Sequence, residues 1–378
     1  MSKSGAQYEL DPSPSDAISS LAFSSTSDRL LVSSWDGHLY LYTRQEDGSE
    51  TPFRLLRTLD AEAPVLSACW GRDDNTLFAA TLDGEVLMYD LTSVPSNEDS
   101  TLVPHLLSEH EQGANKVVYD TEHDILLSTS WDGTLHVHSP QANKHYRVRV
   151  AAKPFALSLS SSRAVVAMAE RKVSVYDLRA LSQLLDQAGN TSSSQDVLEM
   201  EPWQDRLSNL KFMARAVACN PDGSGFATSS IEGRVSVEYF DEKRDEEKYA
   251  FKCHRQTSTL PPSDDAQPGD EGEKVDIVYP VNALAFHPTF GTFATGGGDG
   301  TVAIWDANTK RRVRQYKDLG ASVAALDFSA DGRFLGMAVS PGFEDGMEEE
   351  DVKPEDCRVV VRELGETEAR GKVKGSKE

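Results

Sequence analysis

A chain of 378 residues, 39% of them hydrophobic, has material for two ordinary domains or for one large closed all-β domain. Its 61 acidic residues against 38 basic ones, a formal net charge of −23, do not give the basic footprint that broad nucleic-acid binding needs. The apolar runs are only a few residues long and the polar segment Met1–Ser15 has no secretory layout, so neither a membrane partner nor a signal peptide is expected.

The four cysteines, Cys69, Cys219, Cys253 and Cys357, stand singly without a C-x-x-C pair. They read as buried thiols in a reducing compartment. Asn190-Thr191-Ser192 spells a glycosylation sequon, which without a secretory route is read as chance.

From the N-terminus onward one unit recurs: an alternating apolar strand, a turn, a strand rich in small residues, an Asp-Gly-type turn and a second alternating strand. Blade one runs Ala17–Phe23, Arg29–Trp35, Asp36-Gly37 and His38–Tyr42. Blade two repeats it through Val65–Trp70, Leu77–Leu82, Asp83-Gly84 and Val86–Asp90, and blade three from Ala114 to His138 around Asp132-Gly133. Blade four (Phe155–Leu159, Ala164–Ala169, Val173–Asp177) replaces the Asp-Gly with Glu170-Arg171. Blade five turns at Glu232-Gly233 and blade six at Asp299-Gly300. Blade seven opens at Val323–Phe328, and an acidic insertion precedes Val359-Val-Val.

Fainter outer strands follow, as at Phe53–Thr58 and Tyr249–Cys253, and a strand near Gln7–Leu10 is expected to complete blade seven and close the ring. The prediction is an all-β, seven-bladed WD-repeat β-propeller in a single domain over residues 1–365. Acidic surface loops are expected near 262–274 and 343–356, and a basic disordered tail over 366–378.

The nine histidines include no pair with metal-ligand spacing, and His136 and His138 alternate along one strand face as structural residues do. No nucleophile elbow or phosphate loop is present. Gly296-Gly-Gly298 belongs to the repeat's own turn. A non-enzyme without cofactor or metal is expected; an enzyme would need a cluster of inward polar residues at the central channel.

Trp35 and Trp131 stand immediately before Asp-Gly turns, where blades two, five and six carry Leu82, Ile231 and Gly298. An indole at a wet turn suggests a binding surface, although packing against a neighbouring loop would also account for it. The repeat topology puts Arg215, Arg234 and Lys252 of blade five toward the same rim, as a positive patch for carboxylates or phosphates. Solvated side chains, or ion pairs with Glu232 and Glu238, are the simpler alternative.

Longer strings are more specific than a generic propeller. They are Ser229-Ser-Ile-Glu-Gly-Arg-Val-Ser-Val-Glu-Tyr239, Tyr249-Ala-Phe-Lys-Cys-His-Arg255, Tyr279-Pro-Val-Asn-Ala283 and Phe293-Ala-Thr-Gly-Gly-Gly-Asp-Gly300. In them the chain closely resembles the Bub-type mitotic checkpoint WD-repeat proteins, over essentially the whole propeller and most strongly from Arg215 to Asp306. A sister family, the messenger-RNA export WD-repeat factors, shares the I-E-G-R-V and F-K-C-H-R strings. A blade one that begins near residue 16, together with the S-S-W-D-G wording, is more similar to the checkpoint branch.

The resemblance implies an adaptor that holds GLEBS-motif peptides of checkpoint kinases and their pseudokinase relatives. It also implies binding of phosphorylated Met-Glu-Leu-Thr motifs of a kinetochore scaffold and membership of the mitotic checkpoint complex that inhibits the anaphase-promoting ligase. By position, Trp35, Trp131 and Arg215 would line the peptide surface, while Arg234 and Lys252 would take the phosphothreonine. The expected location is the nucleus, and the kinetochore in mitosis. The alternative is an export factor that binds a nucleoporin GLEBS motif.

Overall fold

In the computed structural model, described over residues 5–46, 49–93, 102–187, 197–259, 274–342 and 353–371, the chain forms a seven-bladed β-propeller. Six blades are four-stranded antiparallel sheets. Blade three gains a fifth strand, because Val197–Leu198 of the blade-four connection pairs in parallel with its outer strand Lys144–Arg149. The same connection carries a helix, Leu178–Gln187, that buries Leu178, Leu181 and Leu185 against Tyr146 and Val148. Spacings of three and four put these leucines on one helical face.

Ring closure uses the N-terminus. Gln7–Leu10 pairs antiparallel with Arg358–Glu363 as the outer strand of blade seven, and Leu10 is buried among Phe53, Phe334 and Val361. The seven sheets pack face to face around the ring, and each apolar cluster spans neighbouring blades.

Hydrogen bonds explain the Asp-Gly wording. In blade six, Asp299 and Thr295 both bond to the buried His254 at 2.8 Å, and the Trp305 indole N–H donates to Thr295 at 3.0 Å. Blade three builds the same chain from His110, Asp132 and Ser128, with His138 in place of the tryptophan. Gly37, Gly84, Gly133, Gly233 and Gly300 take the left-handed φ that these turns require. Blade four forces Glu170 and Arg171 into the same region, at φ 59° and 65°. The Arg171 guanidinium holds its turn by donating to Ser208 O.

The ends of the predicted domain need correction. Glu366–Gly371 is not a free tail: Glu368 is buried, accepting from Arg362 at 2.6 Å, and Thr292 donates to Ala369 O at 2.7 Å. Composition misled here because the buried charge has its own guanidinium partner. The rest of the predicted tail, 372–378, lies outside the described residues. Of the predicted acidic loops, 262–273 and 343–352 also lie outside them. Their flanks are ordered: Arg255–Thr259 pairs with Lys274–Val278 as a two-stranded ribbon, and Pro354–Asp356 is a 3-10 turn leading to the buried Cys357.

Candidate functional site

The innermost strands share one irregularity. Each of the seven carries a register shift at its second or third residue. A β-bulge re-aims the side chain at that point. The residues at these shifts are Ser19, Leu66, Asn115, Phe155, Arg215, Asn282 and Ala324, and all seven line one cleft of about 1100 Å³ over the upper mouth of the channel. The rim above them is locked by a second sevenfold set. The backbone N–H of Trp35, Leu82, Trp131, Ala169, Ile231, Gly298 and Ser340 donates to a carbonyl of the connection entering the same blade.

Trp35 stands on a rigid turn. The Asp36 carboxylate accepts from Ser15 N–H, Ser15 O–H, Tyr40 O–H and His38 N–H at 2.7–3.0 Å. Burial works against its ionisation, but these bonds outweigh burial and hold the carboxyl below its usual range. Trp35 itself stays 40% exposed. Trp131 lies flat against the backbone of Gly113, where an added Cβ would meet the indole at 3.1 Å, and the Lys153 ammonium sits 5.1 Å from the ring centroid.

Arg215 donates from Nε and Nη2 to Asn282 Oδ1 at 3.1 and 2.9 Å, and Asn282 donates to Ser322. Lys116 lies in the same cleft. Burial and then the neighbouring Arg215 guanidinium pull its ammonium down to about 8. Phe155, Met213, Ile231 and Val278 supply apolar wall, the last three exposed, while Asp16 stands at the blade-one side. Cations thus gather over blades three to five, facing a carboxylate across the mouth. Such a surface holds an extended ligand with acidic and apolar side chains.

The predicted residues divide. Trp35, Trp131 and Arg215 line the cleft together. Arg234 and Lys252 do not: they face each other across the outer strands of blade five, so the single patch expected from that blade is two patches. The strands of one blade lie side by side from the channel wall to its outer edge, Arg215 on the innermost and Arg234 and Lys252 on the outer two, so cations of one blade need not meet. Arg234 lies 3.5 Å from Glu232, its Nε is buried without a hydrogen-bond partner, and Arg255 donates to Glu232 O at 2.8 Å.

Lys116, Lys153 and Phe155 escaped the sequence reading. Lys116 follows the bulge in the innermost strand of blade three, Lys153 immediately precedes the innermost strand of blade four, and Phe155 occupies that strand's bulge. His136 and His138 are fully buried in a stack with His110, away from the cleft.

A closed ring of seven sheets, six of them bearing the Asp/Glu-Gly turn or its blade-four variant, defines a WD-repeat propeller with a binding cleft on its upper face. Residues 7–43, 53–90, 102–139 and 277–306 match the family described as WD domain, G-beta repeat. The chain is 38% identical to the Mitotic checkpoint protein BUB3.1 of Arabidopsis thaliana, over 98% of this chain and 96% of that protein. It is 33% identical to the Spindle assembly checkpoint protein bub3 of Schizosaccharomyces pombe, over 85% and 88%. It is also 28% identical to the Poly(A)+ RNA export protein of the same yeast, over 89% and 85%. The chain belongs to the Bub3 family of mitotic checkpoint WD-repeat proteins.

Proposed function

We propose that this propeller is a spindle assembly checkpoint adaptor whose upper cleft holds a GLEBS-motif peptide of checkpoint kinases and their pseudokinase relatives. On this reading it also binds phosphorylated Met-Glu-Leu-Thr motifs of a kinetochore scaffold, recruits the kinases to unattached kinetochores and contributes to inhibition of the anaphase-promoting complex. It acts as a non-catalytic scaffold without a cofactor, in the nucleus and at the mitotic kinetochore.

One observation carries the reading: seven bulged residues and two turn tryptophans converge on a single cleft whose cations lie to one side. Apolar side chains of the peptide rest on Trp35, Trp131 and Phe155, and its carboxylates meet Arg215 and Lys116. Arg234 and Lys252 present two cations against the one carboxylate of Glu232, an excess of positive charge for a phosphate.

Anisotropy titrations with plain and phosphorylated Met-Glu-Leu-Thr peptides test the phosphate assignment. Wild-type protein should prefer the phosphopeptide, and Arg234→Ala should erase most of that preference, roughly tenfold for one lost charge-assisted contact. An equal preference in both proteins sinks the assignment. Purification from mitotic cells tests the adaptor role. Checkpoint kinases in the eluate support it, whereas a nucleoporin and RNA without kinases favour the export reading that the 28% identical relative suggests.

A further inference from the structure

Among the described residues, the outermost strand of blade six, Arg311–Tyr316, pairs with a strand on one side only, Val302–Asp306. Residues 310–317 read Lys-Arg-Arg-Val-Arg-Gln-Tyr-Lys: five cations and no acid, in a chain of net charge −23. Arg311, Arg312, Arg314 and Lys317 are exposed. Arg311, Arg312 and Lys317 form no ion pair among the described residues. Arg314 reaches Glu368 only at 3.5 Å, and that carboxylate already holds Arg362 at 2.6 Å. Asp306, across the register from Arg311, is engaged by its own turn, accepting from Asn308 N–H, Thr309 N–H and Thr309 O–H.

Charge on an edge strand also guards against edge-to-edge pairing. Protection alone does not explain this one. The outer strands Phe53–Asp60 and Gln204–Leu207 carry both signs, the equally basic Lys144–Arg149 is covered by its pairing with Val197–Leu198, and a strongly acidic molecule already repels its own copies. Four cations without a full countercharge, along an edge whose outer side pairs with no strand among the described residues, complement an extended acidic strand. Its carboxylates recur about every 6.6–6.8 Å on each face, so those on one face come within reach of Arg311 and Arg314 and those on the other within reach of Arg312.

We propose that the outer edge of blade six is a second docking surface, taking an extended Asp/Glu-rich peptide of a partner protein as an added strand across Arg311, Arg312, Arg314 and Lys317. It is separate from the upper cleft and does not rest on the function proposed for that cleft.

The test uses the full chain and two labelled ten-residue peptides of equal charge, one alternating Glu with Val, the other with a central Val replaced by Pro. At low salt the alternating peptide should bind wild-type protein, weaken steeply with added salt, and weaken roughly tenfold or more for Arg311→Gln/Arg312→Gln. The Pro peptide should bind several-fold less well, because it cannot complete the strand pairing. Lys317→Gln, at the far end of the strand, should give a smaller loss, and Trp131→Ala none. Equal binding to wild type and the double arginine variant, or equal binding of the two peptides, overturns the proposal. A single-stranded RNA twelve-mer that outcompetes the alternating peptide at the same charge overturns it in favour of nucleic acid.

Discussion

Acidification should test the buried histidine stack of blade three. His136 lies with its ring centroid 3.5 Å from that of His110, its Nδ1 bonds to Ser108 at 3.0 Å, and its Nε2 has no partner. Burial, and then the neighbouring imidazoles of His110 and His138, push its pKa far below the usual 6.5, so the ring stays neutral in the folded protein. In the unfolded chain it titrates normally. The unfolded state therefore binds the extra proton below pH 6.5, and stability contributed by a neutral His136 is lost as pH falls. Between pH 7.5 and 5.5 the loss is about 1.4 kcal/mol for each histidine that stays neutral. Asp327 acts in the opposite direction. Burial pushes its carboxyl up to about 7, so the folded state takes up a proton first and gains stability on acidification. Comparison with His136→Gln cancels Asp327. Urea unfolding followed by tryptophan fluorescence should show wild type losing at least about 1.4 kcal/mol more than the variant over that pH range. Equal pH dependence in the two proteins would refute a buried neutral imidazole at this position.

Three further outcomes follow from the geometry. Lys116, held near 8 in the free cleft, regains its ordinary basicity beside a bound carboxylate, so affinity for an acidic peptide should fall as pH rises from 7 to 9. Lys116→Met should bind more weakly and flatten that profile in calorimetric titrations. Leu10→Ala, at the closure of blade seven, should lower stability by about 2–5 kcal/mol in thermal or urea unfolding, as other buried leucine truncations do. Glu170→Gly should raise stability by roughly 0.5–1 kcal/mol by relieving a left-handed φ of 59°, since the ion pair of exposed Glu170 with Lys172 contributes little.

Much of the fold was legible because the propeller repeats its chemistry. Two-residue alternation marks each blade and an Asp/Glu-Gly turn marks five of them, and even Glu170-Arg171 keeps its place in the register. The fifth strand of blade three was not legible, because a two-residue parallel pairing leaves no periodic signal. Trp35 and Trp131 stood out as large side chains at turns. Arg215 stood out as a cation placed by the repeat topology; the remaining cleft residues did not, because a bulge is a property of backbone pairing and one-letter alternation runs through it unmarked. Ser19, Asn115, Phe155 and Asn282 have little in common as residue types; what unites them is the register shift. Glu368 shows the converse error, an acidic residue in a basic-looking tail that is buried by Arg362.

The central claim is that the tryptophan-lined upper cleft binds the peptide. Its most direct test is a calorimetric titration of a GLEBS-motif peptide into wild-type protein and the Trp35→Ala/Trp131→Ala double variant, with cooperative unfolding of both as the control. A loss of about 2 kcal/mol or more, roughly thirtyfold in Kd, is the predicted result. Unchanged affinity in a folded double variant would contradict it.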